Sequence, residues 1–149
     1  ISTLYSATVH AAIEGTILGV NSFAISHLSF SNKVDMSSFQ EFLMLLINYF
    51  LKNKIEKDVT LNINLPDISY DKTKGIKLCR QGKGKWVEKI TKSNKKNEYI
   101  ISGHFEAEDK SNDTDIWALE NSYISMVPIK IDMTNYDYIK GNKKIEHDF

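Results

Sequence analysis

Two hydroxyl side chains stand closest to doing chemistry in this sequence: Ser6 and Thr8, in the run Tyr5-Ser6-Ala7-Thr8-Val9. Val9, Ala12, Ile13 and Ile17 fall on one helical face. The segment from Tyr5 to Leu18 therefore reads as an amphipathic helix with Ser6 at its N-cap and Gly19 just past its end. The amino end of a helix carries N–H groups with no intrahelical partner and a partial positive charge, which together attract a phosphate. The Ser6 and Thr8 hydroxyls would add donors there. A helix cap with no ligand is the plainer reading of Ser6, and the residues by themselves leave both standing.

The other reactive side chains form no constellation. His10, His27, His104 and His147 are scattered without metal-ligand spacing, and Cys79 has no cysteine partner, so it reads as a core thiol in a strand. Lys72 to Lys96 is a basic stretch with Glu88 as its only acid and Trp86 in its middle. A basic hairpin with an aromatic residue can hold single-stranded nucleic acid. The plainer reading is a solvated arm balanced by the acidic residues after Glu106, and nucleic acid is not the expected partner. Gln81-Gly82-Lys83-Gly84-Lys85 lacks the spacing and the strand-to-helix setting of a nucleotide-triphosphate loop.

Composition bounds the remaining classes. With 19 basic and 19 acidic residues in 149, the formal charge is zero, so no whole-molecule field draws the chain to a polyanion or a membrane. The densest apolar run, Phe42 to Leu51, falls well short of the roughly 20 residues needed to cross a bilayer and contains Asn48. It reads as a buried helix, and no membrane partner is expected. One cysteine permits no internal disulfide and fits a reducing compartment, with the cytoplasm as the default. The chain opens at Ile1 without methionine or a leader, so a fragment of a longer protein is expected.

The elements that would position Ser6 and Thr8 follow from periodicity. Phe23 to Ser26 is a short buried strand. Ser37 with Gln40, or Ser38 with Glu41, offers a capping box for a helix running to about Lys54. Leu61, Ile63 and Leu65 alternate with Thr60, Asn62 and Asn64, the pattern of a strand with two unlike faces. Helix followed by strand repeats, as a parallel, doubly wound α/β sheet requires. After Asp67 come short alternating strands at Ile76 to Gln81, Trp86 to Thr91 and Glu98 to Ile101, with a turn at Ser93 to Asn97. Glu106 to Asp115 reads as a mobile acidic loop, and Thr114 caps one helical turn from Asp115 to Glu120. Pro128 interrupts a strand from Tyr123 to Ile131, which should lie at a sheet edge or leave its sheet there. No linker clearly divides two domains.

Six collinear segments carry a family resemblance. Tyr5-Ser6-Ala7-Thr8-Val9 with Ala11-Ala12, Glu14-Gly15 and Leu18-Gly19 is the first. Phe23 to Ser26, Leu61 to Asp67, Gly75 to Gly82, Thr114-Asp115 with Ala118, and Tyr123 to Ile129 follow in order. The set resembles the SurE-type survival proteins, 5'/3'-nucleotidases. Ala7 stands where that pattern has glycine, and Asn121-Ser122 replaces a glycine before the tyrosine. The resemblance implies a Rossmann-like three-layer sandwich, of which this would be the C-terminal portion. Residues 1–66 would form its αβ part, 75–105 a protruding β-hairpin arm, and 114–132 a returning turn and edge strand.

It also implies a nucleoside monophosphate substrate, a divalent metal such as magnesium or manganese, and homodimers or tetramers built through the Trp86 to Ile101 arm. The metal ligands of that family, an Asp-Asp pair, a serine and an asparagine, would lie upstream of Ile1, leaving no catalytic or metal residue here and Ser6 and Thr8 as the phosphate-binding contribution. The residues 1–149 would then be inactive alone. The alternative is a non-catalytic oligomerisation or nucleic-acid-binding module using the basic arm. Neither base preference nor the choice between 5' and 3' phosphates is written in the sequence.

Overall fold

Strand β2 (Val59–Leu65) organises the structure, a computed structural model that describes residues 2–29, 31 and 35–145. Its apolar residues Leu61, Ile63 and Leu65 pack with Phe39, Phe42 and Leu46 beneath helix α3 (Gln40–Lys52). Its polar residues face the other way. There the Thr60 hydroxyl meets the Thr16 hydroxyl of helix α2 (Ala7–Ile17) at 2.7 Å. The second face is covered too: Thr60 is 0% exposed and Asn62 6%. Burying each large apolar side chain of the α3 layer is worth about 1.5–3 kcal/mol, so that layer dominates the hydrophobic stability. The α2 layer is thinner, with Val9 and Ala12 on Ala24 of strand β1 (Phe23–His27). Helix, sheet and helix make the three-layer α/β sandwich that the sequence predicts.

The sheet is mixed rather than wholly parallel. Its order is β1, β2, β6 (Ile124–Lys130), β3 (Ile76–Leu78), with β1 parallel to β2, β6 antiparallel to β2 and β3 parallel to β6. The edge placement expected for the proline strand is corrected in part, because β6 lies between two neighbours from Ile124 to Met126. Ile124 N donates to Gly75 O and Met126 O accepts from Cys79 N, so alternate residues of β6 face β3. Pro128 continues that alternation beyond the end of β3, where no donor is required.

Two local expectations change. No capping box forms at α3: a 3-10 turn at Ser37–Phe39 leads in, Asp35 Oδ1 accepts from Ser37 N at 2.9 Å, and Ser38 Oγ accepts from Tyr70 N. Nor is Glu106 to Asp115 a free loop. Strand β5 (Tyr99–Ala107) extends into it, and Arg80 grips both Asp109 (2.6 Å) and Asp113 (2.8 Å). Paired acids have partners that composition alone does not reveal. Helix α4 (Asp115–Glu120) follows, its Trp117 N–H capped by Thr114 Oγ1 at 3.2 Å. A short helix, α5 (Tyr136–Gly141), was not anticipated.

Among the described residues strand β4 (Gly84–Lys92) pairs only with β5, in a separate two-stranded sheet turning at Asn97, whose φ is 61°. Trp86, Ile90, Tyr99, Ile101 and Phe105 share one face by register, and all are exposed. The hairpin is therefore shorter at its start than the expected arm, since β3 belongs to the main sheet. Its root is stitched. Arg80 N donates to Asp113 O, Asp115 N to Arg80 O, Gly82 N to Asp115 Oδ1, and Glu108 N to Lys83 O.

Candidate phosphate site at the amino end of α2

Helix α1 (Ser2–Tyr5) runs to within one residue of α2, and Ser6 breaks the path with an extended backbone, φ −83° and ψ 110°. Its Oγ accepts from Val9 N at 3.2 Å, the N-cap bond read from the sequence. That bond uses a lone pair, so the hydroxyl proton stays available to an anion. The Ala7 and Thr8 amides belong to the first turn, whose N–H groups have no acceptor inside the helix. Thr8 is exposed, which leaves its hydroxyl open to solvent or ligand. The Ser6 carbonyl accepts from both His10 N (3.0 Å) and His10 Nδ1 (2.8 Å), and a carbonyl cannot donate, so Nδ1 carries the proton.

Packing fixes where this end points. Thr16, late in α2, touches Thr60, early in β2, so α2 runs antiparallel to β2 with its amino end toward the carboxyl ends of β1 and β2. Ligands of α/β sheets bind outside the carboxyl ends of the strands. At that level the register aligns Ser26 with Asn64, Asn64 with Ser125, and Ser125 with Lys77, a polar row across all four strands. The Ser125 hydroxyl is fully buried and finds no partner among the described residues. Lys77 Nζ sits 5.4 Å from the Trp117 ring centroid and 5.9 Å from that of Tyr123. Reasoning from sequence missed this row; the alternation of Asn62 and Asn64 within a strand was its only visible trace.

The remaining candidates disperse. His27 Nδ1 accepts from Ser29 N and its ring stands edge-on to Phe39, while exposed His104 meets Glu106 in the arm. His147 lies outside the described residues. Burial pushes the Cys79 thiol up, away from thiolate character. Hydrogen bonds from Arg80 hold the Asp109 and Asp113 carboxyls below the usual carboxylate range and raise Arg80 in turn. Among the described residues no three His, Cys, Asp or Glu side chains gather to hold a metal ion, so these residues do not fit one. No described helix is long and apolar enough to cross a membrane.

The family model described as "Survival protein SurE" matches residues 1–88. The chain belongs to the SurE family. Among its curated relatives, the "5'-nucleotidase SurE" of Flavobacterium johnsoniae is 40% identical over 137 residues, 90% of this chain and 53% of that protein. The protein of the same name in Flavobacterium psychrophilum is 37% identical over 95% of this chain and 56% of its own length. The crystal structure of the SurE protein from Aquifex aeolicus superposes with a TM-score of 0.78 at 34% identity, over 96% of this chain and 58% of that one. The chain thus spans little more than half the length of the SurE proteins it matches. Of the two departures from the SurE pattern, Ala7 is exposed in the first turn of α2, and Ser122 adopts a φ of 68°.

Proposed function

We propose that this chain is the C-terminal portion of a metal-dependent phosphomonoesterase that removes phosphate from nucleoside 5'- or 3'-monophosphates in the cytoplasm. The observation that carries the reading is the amino end of α2. Its Ser6 and Thr8 hydroxyls and the Ala7 and Thr8 amides open at the carboxyl ends of β1 and β2, in a chain whose curated relatives are named 5'-nucleotidases.

In this reading Ser6 and Thr8 hold the phosphate by donating to its oxygens, and the helix end adds partial positive charge. As the phosphorus is attacked, charge shifts onto those oxygens, so donors fixed in advance lower the barrier. A divalent ion, magnesium or manganese, supplies water activation and charge neutralisation from ligands outside residues 1–149. The test is phosphate release from a nucleoside monophosphate by the family-length protein with magnesium or manganese. A rate no higher than in chelator, with every common nucleotide tried, overturns the reading.

The hairpin supports a second element of the proposal, an intersubunit arm. Two strands alone are marginal in water, and Trp86, Ile90, Tyr99, Ile101 and Phe105 stand uncovered on one face. A second copy offering the same face would cover them symmetrically. Deleting Lys85 to Ser102 should reduce the mass in solution by whole subunits, and an unchanged oligomer would refute the arm.

A further inference from the structure

Ser6, His10 and Ile13 sit at i, i+4 and i+7, a single stripe down α2. Beyond Ser6 that stripe becomes one wall of a cleft of about 580 Å³ between the α1–α2 corner and the distal half of β6. The cleft opens where β3 ends at Leu78 while β6 runs on to Lys130, so that among the described residues this edge of β6 has no neighbouring strand; Ile129 lines the cleft, and Val127 forms its buried floor at 4% exposed. Leu4 and Ile13 add apolar wall, and His10 and Gln81 supply polar heads. An apolar cleft of a few hundred cubic ångströms with a few convergent polar groups is what a small organic ligand requires.

Resting on the nucleotidase reading above, we infer that this cleft takes the nucleobase of the substrate, with His10 as a specificity residue. A phosphate at Ser6 and Thr8 stands one helical turn from His10, so the rest of the same molecule is led along the stripe into the cleft. The His10 ring is fixed in orientation, because Nδ1–H donates to the Ser6 carbonyl. In the neutral ring Nε2 is then an acceptor, matched to an N–H on a base edge. Arg80 lines the same cleft, but Asp109 and Asp113 already occupy its guanidinium. Asp132 is likewise engaged, by Thr134 N and the Tyr136 hydroxyl, so the His10 imidazole shares recognition with the exposed Gln81 amide, Thr3 and Lys130.

The experiment compares adenosine 5'-monophosphate with glycerol phosphate, which has a phosphate and no base, on the metal-loaded, family-length protein. His10→Ala should raise KM for the nucleotide about tenfold with kcat little changed, as loss of a contact made equally in ground and transition states does. Hydrolysis of glycerol phosphate should fall far less, because there only the ring's bond to the Ser6 carbonyl is lost. Leu4→Trp, at a position 56% exposed, should obstruct the cleft with the same split and without disturbing the core. Equal effects on both substrates, or none on either, would overturn the inference while leaving the nucleotidase reading intact. Release from neither substrate by the unaltered protein would overturn both.

Discussion

Replacing Ser122 by glycine should stabilise the protein by about 1 kcal/mol. Helix α4 ends in a Schellman arrangement: Tyr123 N donates to Ala118 O at 2.8 Å and Ser122 N to Leu119 O at 3.2 Å. This geometry puts Ser122 at φ 68°, the left-handed region, where a side chain costs roughly 1–2 kcal/mol. Among the described residues the serine hydroxyl makes no hydrogen bond that offsets that cost. Glycine removes the strain but gives back part of the gain as extra freedom in the unfolded chain, up to about 1 kcal/mol.

The net of about 1 kcal/mol should raise the melting temperature by about 2–4 °C for a chain of this size and shift the urea midpoint upward at constant m-value. Asn121→Gly is the control. Asn121 has a φ of −101° and its Nδ2 donates to Trp117 O at 2.9 Å, so glycine there should destabilise. An unchanged or lower midpoint for Ser122→Gly, or equal gains at both positions, would refute the argument from backbone strain.

Thr8→Val in the family-length protein should leave the melting temperature unchanged while slowing turnover by about 10²–10³, and wild-type rates would remove Thr8 from the site. Ser6→Ala should also slow turnover and cost about 1 kcal/mol of stability through the lost cap, measured by urea unfolding. Because Arg80 depresses Asp109 and Asp113, their stabilisation is complete above the ordinary carboxylate value near 4 and is lost as pH falls through the depressed folded values. Arg80→Met should flatten that acid limb, and added salt should flatten it in the wild type, since these groups lie at the surface. Gly103→Val should unravel the arm, as a Cβ there would lie 2.5 Å from the Trp86 indole nitrogen and from the Val87 carbonyl; loss of Trp86 emission change on assembly would report it.

Strongly periodic segments were legible in the sequence. α2 with its Ser6 cap and Gly19 stop, the β2 alternation and the Thr114 cap all stand where the spacing puts them. Each is fixed by neighbours within a turn or a strand. The far end of β5 was illegible because both faces of the hairpin are exposed there, and with no buried side the period of two leaves no hydrophobic mark. Asp35 displaces the expected Ser37–Gln40 box because an acid two residues ahead reaches the same N–H, and the Ser38 hydroxyl of the other box accepts from Tyr70 N instead. The candidate site divides the same way. Ser6 and Thr8 lie in one short motif, whereas Ser26, Asn64, Ser125 and Lys77 meet only through the register of four strands.

The placement of β6 has a consequence for how the molecule comes together. Among the described residues β3 pairs only with β6, and β2 meets β6 through pairs as distant in the chain as Asn64 and Ser125. On a ribosome, β1, β2 and β3 emerge before β6, and β3 has no strand to join it to the β1–β2 pair until Ile124 to Lys130 follows. Closing so long a loop delays the reward of pairing, so the nascent chain waits with unpaired edges exposed. The stitched root at Arg80 and Asp113 shortens that wait, because it brings the ends of the hairpin together and lets β6 be delivered as though the arm between them were absent.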